Sequence, residues 1–260
     1  MIELNPAESS SDVKVAEKSA KKHFLKNKVI LIPILIIVAD LIIAGVLLSL
    51  AARSASKVAT EVQSAYDQRQ QTNQTELAKN IPAVTAADHL KGSLAAPVKI
   101  VIYSDLDCSF CQSLHLTLNE VVKNYTGDQV ALVFRNFPLT NLHPYANAKA
   151  ALAECAADLG GNEKFWKFLD LAFQNQNPQT DETALATLAS TTLGLNKSKL
   201  TQCVKDQKFD QKISAESFNA IESGAEGTPF VVTIANNSYT PMSGDIPAET
   251  IKGLIDGALK

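Results

Sequence analysis

Between Val29 and Leu50 the chain is apolar at nearly every position, a pattern that predicts one long helix. At about 1.5 Å of rise per residue the run matches the roughly 30 Å hydrocarbon core of a bilayer. Asp40 interrupts it at a cost of about 3 kcal/mol, against about 0.3 to 0.6 kcal/mol gained by each surrounding Leu, Ile or Val, so the run still inserts. Lys14, Lys18, Lys21, Lys22, Lys26 and Lys28 precede it, whereas only Arg53 and Lys57 stand close beyond it. That excess of positive charge assigns residues 1–28 to the cytoplasm as an N-terminal tail, 29–52 to a transmembrane anchor, and everything later to the outside. A cleaved secretory signal is the alternative, with "SLA" or "ARS" as cleavage site, but the run is longer than such segments usually are and follows a long tail. Either reading exports the remainder. Asp40 is then a tolerated oddity or a carboxylate facing a partner helix.

Polar residues dominate from 53 to about 80, with Val, Ala and Leu too sparse to bury a face, and 53–87 is expected to be a linker, helical in part. The compact domain is expected to begin near Ile81 or His89. Val98 to Tyr103, nearly all apolar and rich in β-branched residues behind Pro97, predict a central strand with no earlier pairing. Phe110, Leu114, Leu118, Val121 and Tyr125 then recur at steps of four and three, the stripe of a helix packed on a sheet. Gly127-Asp128 turn the chain into "QVALVF", a second strand. Strand, helix and strand within about forty residues imply a parallel βαβ unit with a right-handed crossover.

Helical patterns follow. One is opened by His143-Pro144 and closed by Gly160-Gly161, a second lies in "NEKFWKFLDLAFQ", a third in "DETALATLAS" is capped by Asp181, and two more run to about Ser223. "PFVVTIA" resumes the sheet and Asn236-Asn237 turn it back into a shorter strand near Tyr239. A last helix presents Ile251, Leu254, Ile255, Ala258 and Leu259 on one face. The order is βαβ, helical block, ββα, an α/β class without internal repeats.

Composition changes this picture little: 46% hydrophobic and 20% charged residues suit one core or two. A net charge of -3 and pI near 5.8 give no electrostatic footprint for nucleic acid, and that class is set aside. No phosphate-binding loop, nucleophile elbow or carboxylate pair asks for other chemistry.

The chemistry lies in "DLDCSFCQ", where the first strand meets its helix. Two cysteines with two residues between them suit a redox pair, half a metal site or a structural staple. A cysteine at a helix's first turn sees unpaired N–H groups and partial positive charge, which stabilise its thiolate. The second thiol, one turn deeper, can donate to the first sulfur and later attack a mixed disulfide on it. Cys108 is thus the exposed nucleophile and Cys111 the shielded resolving thiol. Zinc wants two more ligands, and neither Cys155 nor Cys203 belongs to a second close pair; no metal is expected, even with His115 one turn on. Closing so small a loop removes little chain entropy, which weighs against a staple. Late in the chain, "GTPF" precedes a strand, where an ordinary trans turn is the simple reading.

Taken together, "APVKIVIYSDLDCSFC", "FRNFPL", "HPYANAKAALAECA", "KFW" and "GTPFVV" resemble DsbA-type thiol-disulfide oxidoreductases, in the exported and often membrane-anchored branch. The resemblance covers residues 88 to 260. It implies a thioredoxin fold split into a βαβ part at 88–140 and a ββα part at 226–260, with a helical domain inserted at 141–225. It implies a cis Pro229 against the cysteines, with Thr228 gripping a client peptide as an added strand and Ser109 and Phe110 beside it. No cofactor is implied. Cys155 and Cys203 then become a structural disulfide in an oxidising compartment, two buried free thiols being the alternative. Trp166 with Phe165, Phe168 and Phe173 reads as core of the helical block, the resemblance leaving part of it as lining of a client groove as the alternative, and His143 and Tyr145 read as structural.

Departures from the family matter. Ser109 and Phe110 replace the proline and histidine found between the cysteines elsewhere, and Ile102 stands six before the nucleophile where many relatives are acidic, while Asp105 matches a family aspartate. Asp107 is expected to raise the Cys108 pKa if it points inward. A milder oxidant than the family's strongest members is therefore expected. The implied role is a membrane-tethered monomer that oxidises client thiols and is reoxidised by a quinone-linked membrane partner. An isomerase or reductase and a non-catalytic anchored binding module are the alternatives.

Overall fold

A computed structural model of the chain describes residues 10–176 and 181–260, with side chains from residue 33 onward. The lysine flank expected to orient the anchor lies outside the described side chains. The chain divides into two units, residues 1–68 and 69–260. Helix α1 (Ser10–Ala78) forms the described part of the first and runs into the second. Its stretch from Pro33 is long and apolar enough to cross a membrane, and its large apolar side chains from Ile34 to Leu50 are exposed.

The stretch expected to be helical in part is helix as far as Ala78. No Gly or Pro occurs between Gly45 and Pro82, Ala, Gln and Glu favour helix, and Lys57–Glu61 and Gln63–Asp67 pair one turn apart. The helix ends just ahead of Ile81-Pro82, as the restriction before proline requires.

The second unit is built on a five-stranded sheet in the order β1-β3-β2-β4-β5. Its strands are β1 (His89–Lys91), β2 (Val98–Ser104), β3 (Val130–Asn136), β4 (Phe230–Ala235) and β5 (Ser238–Ser243). β2 and β3 are parallel, joined over α2 (Ser109–Val121); the other pairs are antiparallel. β1 is the strand not anticipated, since it pairs with β3 beyond Pro97 rather than extending β2. Asn236 and Asn237, with φ of 50° and 59°, make the tight β4–β5 turn.

Between β3 and β4 lie α3 (Ala146–Gln174), α4 (Glu182–Leu193), α5 (Lys197–Lys205) and α6 (Asp210–Glu222), and α7 (Ala248–Ala258) closes the chain. Gly161, at φ 77°, breaks α3 into two arms, a left-handed conformation that glycine adopts without strain. Asp181 caps α4 by accepting from Ala184 N–H at 2.8 Å.

Side chains alternate across the sheet. Ile100, Ile102, Leu132 and Phe134 face one core with Leu114 and Leu118 of α2, Ile251 and Ile255 of α7, and Phe165, Phe168 and Leu169 of α3. Val101, Tyr103, Val133 and Val232 face a second core with Ala78, Ile81 and Ala220. Trp166 is buried edge-on to Phe134 and Phe165. Gly224, at φ 94°, lets the chain pass Gln74, whose Oε1 would lie 2.7 Å from an added Cβ.

Phe110 corrects the expected stripe of α2: it is 60% exposed, and Cys111 takes the inward position. Tyr125 falls beyond the helix, half-buried.

Two buried polar clusters tie the layers together. Glu154 accepts from His89 (2.9 Å), Asn136 (2.7 Å) and Lys212 (2.7 Å); burial pushes its carboxyl up, but His89 and Lys212 outweigh this and hold it below the usual range. Arg135 donates to Asp88, Tyr103 and the Pro82 carbonyl.

Cys155 of α3 and Cys203 of α5 are joined by a disulfide across 48 residues of chain. Closing a loop of that length removes about 4 kcal/mol of unfolded-state entropy in the chain-entropy account. Replacing both cysteines by alanine should lower unfolding free energy by about 2 to 4 kcal/mol, read from the shift in urea midpoint against the oxidised parent.

Candidate active site

β2 ends at Ser104, and a short turn, closed by Cys108 N–H donating to the Asp105 carbonyl at 3.2 Å, delivers Cys108 to the N-cap of α2. The cap residue is extended (φ -82°, ψ 122°), and its side chain makes no capping bond to the helix. Its sulfur therefore sits where the first N–H groups of the helix point. Cys111, one turn on, faces the core.

Antiparallel pairing brings the second half of the site. Tyr103 is opposite Phe230, so the residues just beyond this pair, Ser104 and Asp105 on one side and Thr228 and Pro229 on the other, meet at the sheet's end. The Thr228–Pro229 bond is cis. The Pro229 carbonyl accepts from Gly244 N–H at 3.0 Å, while the Thr228 carbonyl lies 3.4 Å from Cys108 Sγ and accepts a hydrogen bond from its thiol. The Thr228 hydroxyl is buried and has no partner among the described residues, leaving it able to donate to the same sulfur once that carries charge. Ser109 and Phe110 are exposed at the start of α2.

The two thiols are driven apart. A hydrogen bond from the Cys111 thiol, together with backbone N–H groups of Cys111 and Phe110 and the Thr228 side chain, outweighs burial and lowers Cys108 to about 5. Burial, and then the bond it donates to Cys108, pushes the Cys111 thiol far up; Asp105 N–H donates to its sulfur at 3.4 Å. Cys108 is less open than its expected role suggested: it keeps 7% of its surface exposed, against 1% for Cys111.

Asp105 was singled out in the sequence, but the contacts that engage it and its loop were not. The buried Asp105 carboxylate accepts from Asp107 N–H and Leu139 N–H, each at 2.7 Å, and from His143 Nδ1 at 2.9 Å. His143 thus belongs to the frame of the cysteine loop. Gln176 Nε2 donates to the carbonyls of Leu106 and Cys108 at 3.0 Å each, and Gln112 donates to the Phe173 carbonyl at 2.5 Å. Asp107 does point inward, but its carboxylate is paired with Lys149 of α3. Cys155 and Cys203 are bonded to each other and take no part in the site. Among the described residues no group of three or more Cys, His, Asp or Glu side chains is arranged to hold a metal.

Alkylation of the reduced chain should modify Cys108 with a pH midpoint near its value of about 5 and leave Cys111 untouched, as peptide mass spectrometry would show. Because the folded value of Cys108 lies below the ordinary 9.0, the unfolded state binds more protons between the two. Its contribution to reduced-state stability is therefore complete above pH 9.0 and lost as pH falls through about 5. The urea midpoint of the reduced chain should rise across that window, and that of the oxidised chain should not share the rise.

This geometry has counterparts. A family model described as Thioredoxin matches residues 84–256. The structure of DsbA2 from Pseudomonas aeruginosa is 27% identical, with a TM-score of 0.57, covering 67% of this chain and 96% of that one. BcfH from Salmonella enterica Typhimurium (16% identical, TM-score 0.67, 84% of this chain and 95% of that one) and oxidised BdbD from Bacillus subtilis (20%, 0.58, 66% and 92%) share the fold. Curated relatives are named Na(+)/H(+) antiporters: NhaA 3 of Salinispora tropica is 32% identical over 151 residues, 57% of this chain but 22% of that protein. The chain thus spans about a fifth of the length of such relatives. Taken with the two thiols at the helix start, the match across residues 84–256 means that the chain belongs to the thioredoxin family, within which it has the DsbA-like thiol-disulfide oxidoreductase fold.

Proposed function

We propose that this chain is an extracytoplasmic, membrane-tethered oxidase of protein thiols, with Cys108 and Cys111 as its catalytic pair and Thr228 and Pro229 as its client-binding backbone. The observation that carries this reading is the opposed tuning of the two sulfurs, one held as thiolate and the other as thiol, beside a cis proline. In the oxidised enzyme a client thiolate attacks Cys108 Sγ and forms a mixed disulfide. The Cys108–Cys111 bond breaks, and its electron pair leaves on Cys111, which takes up a proton. A second client thiolate then attacks the client sulfur and expels Cys108 as thiolate. Two electrons have passed from client to enzyme. Stabilising the Cys108 thiolate favours the reduced enzyme and so makes its disulfide the stronger oxidant.

The exposed Ser109 and Phe110 flank the entering peptide, which pairs with the Thr228 backbone as an added strand. Residues 88–140 and 226–260 supply the thioredoxin-like parts and 141–225 the inserted helical domain. The chain works as a monomer with its N-terminus cytoplasmic, and a quinone-linked membrane partner accepts the two electrons. Antiport is not carried over from relatives of which this chain spans so small a part.

The direction of electron flow is read from the cysteine pair in cells. Mostly disulfide supports the oxidase; mostly dithiol points to an isomerase or reductase. Cys108→Ser should reduce turnover with a reduced client to background, and retained client tethering without any exchange in the parent would make the chain a binding module. Cys111→Ala should accumulate covalent client adducts at Cys108, and no adduct on any thiol substrate would overturn the proposal.

A further inference from the structure

Asp107, the residue immediately before Cys108, keeps 7% of its side chain exposed, and Lys149, near the start of α3, keeps 3%. Lys149 Nζ donates to Asp107 Oδ1. Around it α3 presents mainly small apolar residues, Ala146, Ala150, Ala151 and Ala153, all buried. Either charge alone at this depth would be strongly unfavourable.

The pair joins the cysteine loop to the helical segment, and it also decides what charge the sulfur feels. A lone carboxylate beside a thiol opposes its ionisation, and poor solvent screening at a buried site would strengthen that effect. Joined to an ammonium, the carboxylate becomes half of a compact dipole. In keeping with this, hydrogen bonds, the first of them from Cys111, are what lower Cys108.

The neighbouring ionisable groups are otherwise engaged. Asp105 holds His143 from the segment before α3, α2 contributes Cys111 and, one turn on, His115, which is paired with Asp170, Glu154 further along α3 is met by His89 and by Lys212 of α6, and Glu226 on the Thr228 loop is exposed.

We propose that Lys149 is a positioning residue for thiol-disulfide exchange: by holding Asp107 in a buried ion pair, it cancels a negative charge beside Cys108 and so sets how readily that sulfur serves as thiolate and leaving group. The consequence for exchange rests on the oxidoreductase reading, whereas the consequence for ionisation does not.

The test uses the reduced full-length chain in detergent and the pH dependence of Cys108 alkylation, followed by mass spectrometry. Lys149→Met should raise the midpoint by about one unit, Asp107→Asn should lower it, and the double variant should return it to within a few tenths of the parent. In a glutathione redox buffer, Lys149→Met should be about tenfold less oxidising, equivalent to about 30 mV. A folded Lys149→Met chain with an unmoved midpoint, or a double variant that fails to restore it, would overturn the proposal. If Lys149→Met does not fold, Asp107→Asn and the double variant decide, and equal midpoints in those two overturn it. A purely structural role would lower the unfolding midpoint of the variants without moving alkylation. A parent that alkylates as expected yet exchanges with no client would sink the oxidase reading alone.

Discussion

The pairing of β4 with β2 is the constraint on which the site depends. With Tyr103 opposite Phe230, the cis peptide at Thr228–Pro229 arrives beside the end of β2 and the Thr228 carbonyl meets Cys108 Sγ. A slip by one residue would turn every β4 side chain to the opposite face. Val231 would leave the core shared with α2 and α7, and Val232 the core shared with α6. The burial of alternate residues on both faces thus fixes, at some distance, which backbone atoms face the sulfur. Chemistry at the sheet's end is specified by packing in its middle.

Given that register, the two cysteines diverge because they stand at different depths on the same helix. Cys108 terminates α2 and collects hydrogen bonds that favour a negative sulfur; Cys111 is almost fully enclosed, and its ionisation is opposed both by lost hydration and by the charge next to it. One hydrogen bond serves both ends, since the proton retained by Cys111 is the one that steadies the Cys108 thiolate. Asp105 connects this pair to the rest of the frame, its N–H touching Cys111 and its carboxylate holding Leu139 and His143. The sulfurs are therefore tuned by a framework that reaches the loop ahead of α3.

Elements with a strong period or a strong breaker were legible in the sequence. β2, β3, α2, the Asn236-Asn237 turn and the Asp181 cap each follow from residues adjacent in the chain. β1 was not legible, because a three-residue edge strand carries no alternation and forms only where β3 offers it a partner. The helix through 53–78 was legible only in part: the absence of breakers allowed helix there, but the sparse apolar stripe gave no reason to expect it to run unbroken to Ala78. Phe110 was placed inward on periodicity alone, whereas the buried position one residue later belongs to a cysteine. In the site, the cysteines announce themselves by spacing, but Gln176 and Lys149 reach it through tertiary contacts from α3 and the segment just after it. The one available hint was Lys149 itself, a lone charge in the stretch "ANAKAALA".

Two physical facts bear on where the proposed oxidase works, and they are independent of each other. Lysines crowd the N-terminal side of the apolar run, and positive charge resists transfer across a membrane. The Cys155–Cys203 bond joins α3 to α5, and such bonds persist where thiols are not kept reduced. A cytoplasmic unit would have to keep that bond against a reducing pool while its other two cysteines traded electrons. Outside the membrane both pairs can hold their states, because no reducing pool draws on the structural bond, whose Cys155 sulfur lies in a fully buried residue, while Cys108 and Cys111 trade electrons with client thiols. Because Cys155 and Cys203 are bonded to each other, neither offers a thiolate that could resolve a mixed disulfide on Cys108, so the stabilising bond and the exchanging bond can occupy one small unit without scrambling.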